Sequence, residues 1–281
     1  MEKKEQITVI RATTGLFEIN FKKIWEYRDL LFIFVRRDFT SAYKQTILGP
    51  LWHFVQPLFS SIIFSVAFSF VARISTENIP PVLFYLSGIV PWAYFADCTN
   101  RTSNIFTQNA AIFGKVYFPR LVVPLAVVIS CLIRFSSQFF LFSICYIYFI
   151  LNGNDLIHIN MYALLLPINV LLSACMGLGI GLIVSSSATI YKDIVSLIGF
   201  FVQLLMYISP VIFPVSIWGK WKWIVEANPM TPVIQSFRYG FLGVGDFHPS
   251  ALLYTASFAI IIFFIGILLY NRAEKSFIDT I

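Results

Sequence analysis

Six stretches of this chain are apolar over a length suited to a bilayer. A helix needs about 20 residues to cross a hydrocarbon core, and Leu51–Ala72, Val82–Asn104, Leu121–Leu151, Met161–Ser186, Ile194–Phe213 and Ala251–Tyr270 each come close to or exceed it. Composition agrees. Charged residues make up 12% of the chain, against about a quarter in an ordinary soluble domain. Thirty Phe among 281 residues exceed what one water-soluble core could bury. The expected fold is an all-α membrane protein with six transmembrane helices. The second run is the weakest, because its strongly apolar part ends at Ala96 and Asp97–Asn104 is polar. The third is longer than a crossing requires and can tilt.

Lys and Arg flanking the runs set the orientation, since basic residues collect on the cytoplasmic side. With six crossings, fourteen fall on the side of the N-terminus, nine of them within the first 44 residues, and four on the other: Arg73, Lys220, Lys222 and Arg238. Both termini are therefore expected in the cytoplasm. No cleavable signal peptide is expected in Met1–Asn20, which is polar and charged. Residues 1–50 read as a cytoplasmic N-terminal segment and 51–281 as the membrane domain. Within the former, Phe21, Ile24, Trp25 and Arg28 lie along one helical stripe, and Leu30–Val35 is too short to span before Arg36-Arg37-Asp38. This is the pattern of an amphipathic helix in the membrane interface. Between runs five and six, residues 214–249 carry Trp218, Trp221, Trp223, several Gly and Asn228-Pro229-Met230-Thr231-Pro232. That segment is too apolar for a free loop and too broken for a span, so short re-entrant or interfacial helices are expected.

Several chemistries are absent. There is no GxxxxGK[ST] loop to cradle phosphates, no HExxH, no GxSxG and no DxD-type carboxylate pair. His53, His158 and His248 are far apart, and Cys98, Cys131, Cys145 and Cys175 are solitary, so no metal site, disulfide or catalytic residue is expected. The net charge of +6 does not imply nucleic acid, because no soluble stretch is long enough to carry a basic face.

Ionisable groups at membrane depth are costly and mark sites to inspect. Asp97 and Arg101 stand four apart, acid first, the favourable order for an intrahelical pair. Arg134, in the middle of the third run, either reaches Asp97 from a neighbouring helix or lines a water-filled cavity; the sequence leaves both open. In the fourth run Ser173, Gly177, Gly181 and Ser185 form a row of small residues that admits a close helix neighbour. The first run mixes Phe54, Phe59, Phe64 and Phe68 with Ser60, Ser61, Ser65 and Ser69. Rings and hydroxyls of this kind suit sugar faces; equally, the serines can face other helices and the rings lipid.

The chain resembles the membrane subunits of type-2 ABC exporters, specifically the Wzm-type permeases for O-antigen and related surface polysaccharides. The resemblance is carried by Arg36-Arg37-Asp38, Tyr43–Trp52 with Pro57, Gly88-Ile89-Val90-Pro91-Trp92, Lys115–Arg120, Tyr191-Lys192-Asp193, Ser209–Pro214 and Asn228-Pro229-Met230, in family order from about residue 21 onward. It implies a homodimer in the bacterial inner membrane, joined to two copies of a separate ATPase subunit that binds ATP and Mg. The substrate it implies is a polysaccharide on an undecaprenyl-diphosphate carrier. Teichoic acid and capsule exporters share the same motifs, and a membrane-embedded glycosyl- or acyltransferase is the rival class. On this footing the conduit is expected to include Phe54, Phe59, Phe64, Phe68, Phe200, Phe201 and Tyr207. Arg36, Arg37 and Lys44 are the candidates for the lipid diphosphate. Phe113, Lys115, Tyr117, Phe118 and Arg120 are the candidates for coupling to the ATPase. Arg134 is not part of the family pattern.

Overall fold

The computed structural model describes residues 21–113, 118–154, 156–191 and 193–278, and among them the only regular elements are helices. These are α1 (Phe21–Glu26), α2 (Arg28–Tyr43), α3 (Gly49–Val71), α4 (Pro81–Ser103), α5 (Ile105–Phe113), α6 (Val122–Leu151), α7 (Met161–Ala188), α8 (Asp193–Ile208), α9 (Lys222–Glu226), α10 (Thr231–Leu242) and α11 (Pro249–Ile278). Among the described residues, five helices are long and apolar enough to cross a membrane: α3, α4, α6, α7 and α11 as far as Ala273.

The fifth expected run is shorter than its apolar sequence. It folds as the 16-residue α8, which ends at Ile208 and is about 24 Å long at 1.5 Å per residue. Ser209-Pro210 stops it, because the residue before a proline is pushed away from the helical region. The helix nevertheless joins the two ends of the bundle. It begins just after α7 ends, where Ser185 meets Phe106 of α5, and the Pro210 carbonyl beyond its end reaches Arg238 of α10.

α4 is the centre of the bundle. Sixteen of its 23 residues are buried, and α3, α6, α7, α8 and α10 all pack on it. The expected small-residue row of α7 is what lets α4 so close. A Cβ on Gly177 would lie 2.6 Å from Cys98 Cβ, and one on Gly181 would lie 2.5 Å from Thr102 Cβ. On another face of α7 a second close contact, not anticipated, is made by Gly179 against the backbone of Ile262 and Phe263 in α11, with Gly266 facing Gly179.

α3 opens with a 3₁₀ turn at Gly49–Leu51, is α-helical to Phe64 and π-helical over Ser65–Val71. Its buried residues are His53, Pro57, Ser61 and Ser65, a stripe of one residue every four. Of the two readings of this helix, the serines at 61 and 65 therefore turn inward. Their hydroxyls donate to the carbonyls of Leu58 and Ser61.

Short helices do lie between α8 and α11, as expected for 214–249. A 3₁₀ stretch, Val215–Trp221, breaks at Gly219 (φ 47°) and is followed by α9 and α10. α10 is largely buried against α4 and the first turn of α7. Asn160, ahead of α7, donates from its side chain to the Tyr239 carbonyl (2.8 Å) and from its backbone to that of Gly240 (3.0 Å). At the N-terminus the helical run breaks at Tyr27, and α2 continues past Arg36-Arg37-Asp38 as far as Tyr43. Phe34 and Val35 are buried while Phe32 and Ile33 are exposed, so α2 has one face on the bundle and one apolar face away from it.

Candidate functional site

Two features of the bundle bear on function. The first is a cluster of charges. Arg134 of α6 donates through Nη1 to both carboxylate oxygens of Asp97 in α4, at 2.9 and 3.0 Å. Of the two possibilities open for Arg134, it takes the neighbouring-helix pair. The expected Asp97–Arg101 pair does not form. Asp97 is taken by Arg134, and Arg101 swings toward α2, where Nη2 lies 3.8 Å from Asp38. Asp38 itself holds Arg37 at 2.9 Å, and Arg37 also donates to Asn109 of α5 (3.2 Å). His53 of α3 pairs through Nε2 with the Tyr43 hydroxyl. A cavity of about 20 Å³ sits among these groups, lined by Asp38, Phe39, Ala42, Tyr43, His53, Arg101, Ser130 and Arg134.

The second feature is a groove. α3 and α8 each pack on α4, and neither packs on the other to a comparable extent. On the α4 surface, Ala93, Ala96, Asp97, Asn100, Arg101 and Asn104 are only half-buried, a stripe at helical spacing in which polar residues dominate toward the α2 end. Asn100 comes close to Gly199 of α8. Phe59 of α3 and Phe200, Phe201 and Tyr207 of α8 are exposed. The remaining aromatics proposed for the conduit are packed. Phe54 meets Phe140 of α6 edge-on, Phe64 meets Tyr85, and Phe68 meets Tyr85 and Phe213.

At the other end Arg238 of α10 is fully enclosed. Its guanidinium lies 3.8 Å over the Phe84 ring, Nε donates to Ser87 Oγ (3.1 Å) and Nη2 to the Pro210 carbonyl (2.8 Å). It thus ties α4, α10 and the end of α8 together. Glu77, in the α3–α4 loop, shares a cavity of about 10 Å³ with Arg238 and Asp246. Burial raises its carboxyl above the usual range; Arg238 opposes the rise and Asp246 adds to it.

Of the residues assigned to the lipid diphosphate from the sequence, Arg37 belongs to the cluster, while Arg36 and Lys44 are exposed beside it. Of those assigned to coupling, Lys115, Tyr117 and the Phe113 side chain lie outside the described residues. Phe118 is buried with its ring 5.7 Å from Phe34, and Arg120 is half-buried with its carbonyl accepting from Tyr270. Sequence reasoning did not connect Arg101, Arg134, His53 and Tyr43. The charges of Arg101 and Arg134 at membrane depth were the available signal, but the contacts that assemble the cluster span up to 72 positions. Among the described residues no group of His, Cys, Asp and Glu has the makings of a metal site.

Among the described residues, a helical bundle with five membrane-length helices has the make-up of a multi-pass membrane protein. The chain belongs to the ABC-2 type transporter family, whose pattern matches residues 29–242, well over half its length. It is 27% identical over 253 residues to the O-antigen export system permease protein RfbA of Klebsiella pneumoniae, covering 89% of this chain and 94% of that one. The RfbA of Myxococcus xanthus is 22% identical over 265 residues, covering 92% and 98%. The polysialic acid transport protein KpsM of Escherichia coli is 23% identical over 249 residues, covering 87% and 93%.

Proposed function

We propose that this chain is the membrane subunit of an ATP-driven exporter that moves a lipid-linked, O-antigen-type polysaccharide out of the cytoplasm across the bacterial inner membrane. The observation that carries this reading is the match to the ABC-2 type transporter family together with near full-length similarity to permeases named for O-antigen export. The similarity to a polysialic acid transport protein supports surface polysaccharide as the broader class. In this reading ATP and Mg act on a separate subunit, which the lack of a GxxxxGK[ST] loop in the sequence supports. Two copies of that ATPase would serve a homodimer of this chain.

In this reading α8 and the turn after it complete a sixth crossing, both termini are cytoplasmic, and the α2 end is the cytoplasmic end. α2 then lies in the interface with Phe32 and Ile33 toward lipid, and 214–249 dips into the outer leaflet. Residues 109–120 form the segment that docks on the ATPase, anchored at its end by Phe118. The orientation is testable by labelling single cysteines. A cysteine at Asn154 should react from outside intact cells, and one at position 192, outside the described residues, only after permeabilisation. The opposite pattern would invert the bundle.

The groove between α3 and α8 is the half-channel, closed by a second copy of the chain. Its exposed rings support this, because stacking on a sugar face is weak, tolerant of hydroxyl pattern and repeatable along a polymer. In this reading Phe54, Phe64 and Phe68 back the wall, and the path is faced by members of the exposed set Phe59, Phe200, Phe201 and Tyr207, not by all four, since Phe200 and Phe201 point about 100° apart on α8. Changing the latter four together to Ala should cut polymer export several-fold while the complex assembles and hydrolyses ATP. Undiminished export by that variant would put the path elsewhere. A direct test of the function as a whole is co-purification from native membranes: an ATPase with a phosphate-binding loop should accompany the tagged chain, and deleting the chain should trap polymer inside the cell.

A further inference from the structure

We propose that the cavity between α2, α3, α4 and α6 is a phosphate-binding site, closed in this structure by α2 and with Arg101 as its principal cation. The proposal rests on the export reading above and deepens it by naming where an anionic headgroup is held. Three observations carry it. The cluster is cationic: among the described residues, Arg37, Arg101 and Arg134 face the carboxylates of Asp38 and Asp97. The surplus is concentrated on Arg101. Arg134 and Arg37 make direct hydrogen bonds to carboxylates, but Arg101 has only Asp38 at 3.8 Å and the Cys131 sulfur at 4.0 Å among the described residues. Neither is a good hydrogen bond, so most of its five N–H donors are unspent. His53, also lining the cavity and 95% buried by its 5% exposure, has an Nδ1 with no partner.

A phosphate group answers these vacancies at once. Its oxygens accept from a guanidinium in a fork, the geometry that favours Arg over Lys. If the Tyr43 hydroxyl donates to His53 Nε2, the proton of the neutral ring sits on Nδ1 and becomes a further donor. Ser130 adds a hydroxyl at the rim. At about 20 Å³ the cavity has room for a water molecule, so a phosphate group enters as α2 moves outward and Asp38 releases Arg101. Asp38 is thus a competitor for the same cation, placed on the element that closes the site. The phosphate can come from a lipid carrier's diphosphate, from a phospholipid headgroup or from solution.

The three sources separate in one set of measurements on the full chain with its ATPase in nanodiscs. Binding would be measured for undecaprenyl diphosphate in phosphatidylcholine discs, for phosphatidylglycerol in mixed discs, and for inorganic pyrophosphate in solution. Undecaprenyl diphosphate is expected to bind at least tenfold tighter than either of the others, and this advantage should shrink as salt is raised. Arg101→Gln should weaken it about tenfold, Arg101→Lys less. Asp38→Asn should tighten it, an effect that misfolding cannot imitate and that decides the matter even if Arg101→Gln does not accumulate. Equal binding by wild type and Arg101→Gln, or no gain in Asp38→Asn, would overturn the site. Phosphatidylglycerol binding as tightly as the carrier would keep the phosphate site but assign it to bulk lipid. The export reading is judged separately, by polymer reaching the cell surface in wild-type cells. A wild type that binds the carrier without exporting polymer would sink that reading and leave the site standing.

Discussion

Replacing Arg238 by Met is expected to destabilise the folded chain by about 3 kcal/mol. The guanidinium donates to Ser87 Oγ and to the Pro210 carbonyl and lies over Phe84. Hydrogen bonds from a charged donor contribute roughly 1.5–3 kcal/mol each, and a buried carbonyl left without its donor costs about 1–3. Met fills most of the volume and needs no desolvation, which offsets part of this loss. Ser87 keeps an alternative, since its hydroxyl donates to the Phe84 carbonyl. The Pro210 carbonyl has no such alternative among the described residues. Because Pro210 follows α8, the loss should be felt first where α8 meets α10, and protease should cut within 209–230 at lower temperature than in wild type. Arg238→Lys should recover part of the stability, as Lys keeps the charge without the fork. A Met variant that melts with wild type would mean that Arg238 contributes no net stability, as some buried charges do.

Gly179→Val should be more damaging still. A Cβ at this position would stand 2.7 Å from the Ile262 carbonyl oxygen and 2.8 Å from the Ile262 carbon and the Phe263 nitrogen. These are backbone atoms, so no rotamer change makes room, and α7 and α11 must separate along their length. Overpacking costs typically about 1–3 kcal/mol when side chains can give way, and here they cannot. The variant is expected not to accumulate in membranes, and Gly179→Ala to accumulate with a lowered melting temperature. Gly199→Ala in α8 is the matched control. Its nearest neighbour would be Asn100 Oδ1 at 3.8 Å, an ordinary contact, so its stability should stay within about 0.5 kcal/mol of wild type. If Gly179→Val accumulates and melts normally, the α7–α11 crossing does not depend on that contact.

The apolar runs were legible because the bilayer requires them. Five of the six fold as membrane-length helices, and the small-residue row of α7 faces a neighbouring helix as its spacing implies. The early end of α8 was written in Ser209-Pro210 but masked by Val211-Ile212-Phe213, whose apolar character continues the run for a different reason: Val211 lies against Gly88 of α4, Ile212 is buried, and the Phe213 ring meets Phe68 of α3 and Trp218. Gly179 was missed because it lies two positions from the row and serves another partner. The charged cluster was legible in part: the Arg134–Asp97 pair was one of two readings the sequence left open. The spacing rule for one helix pairs Asp97 with Arg101, whereas the partners actually taken come from α2 and α6, and no local pattern encodes how those helices are turned.

The way glycine is distributed divides the bundle by compliance. α4, α7 and α11 touch at backbone distance through Gly177, Gly179, Gly181 and Gly266, and sliding them apart would open voids that no side chain can fill. α8, by contrast, buries only Val202, and α3 only four residues. Elements with few buried contacts are the ones that shift at low cost. A mechanical load applied to this chain is therefore relieved by displacement of α3 and α8 against a stiff three-helix spine, and the strain is borne at the two sides of the groove and not at its floor.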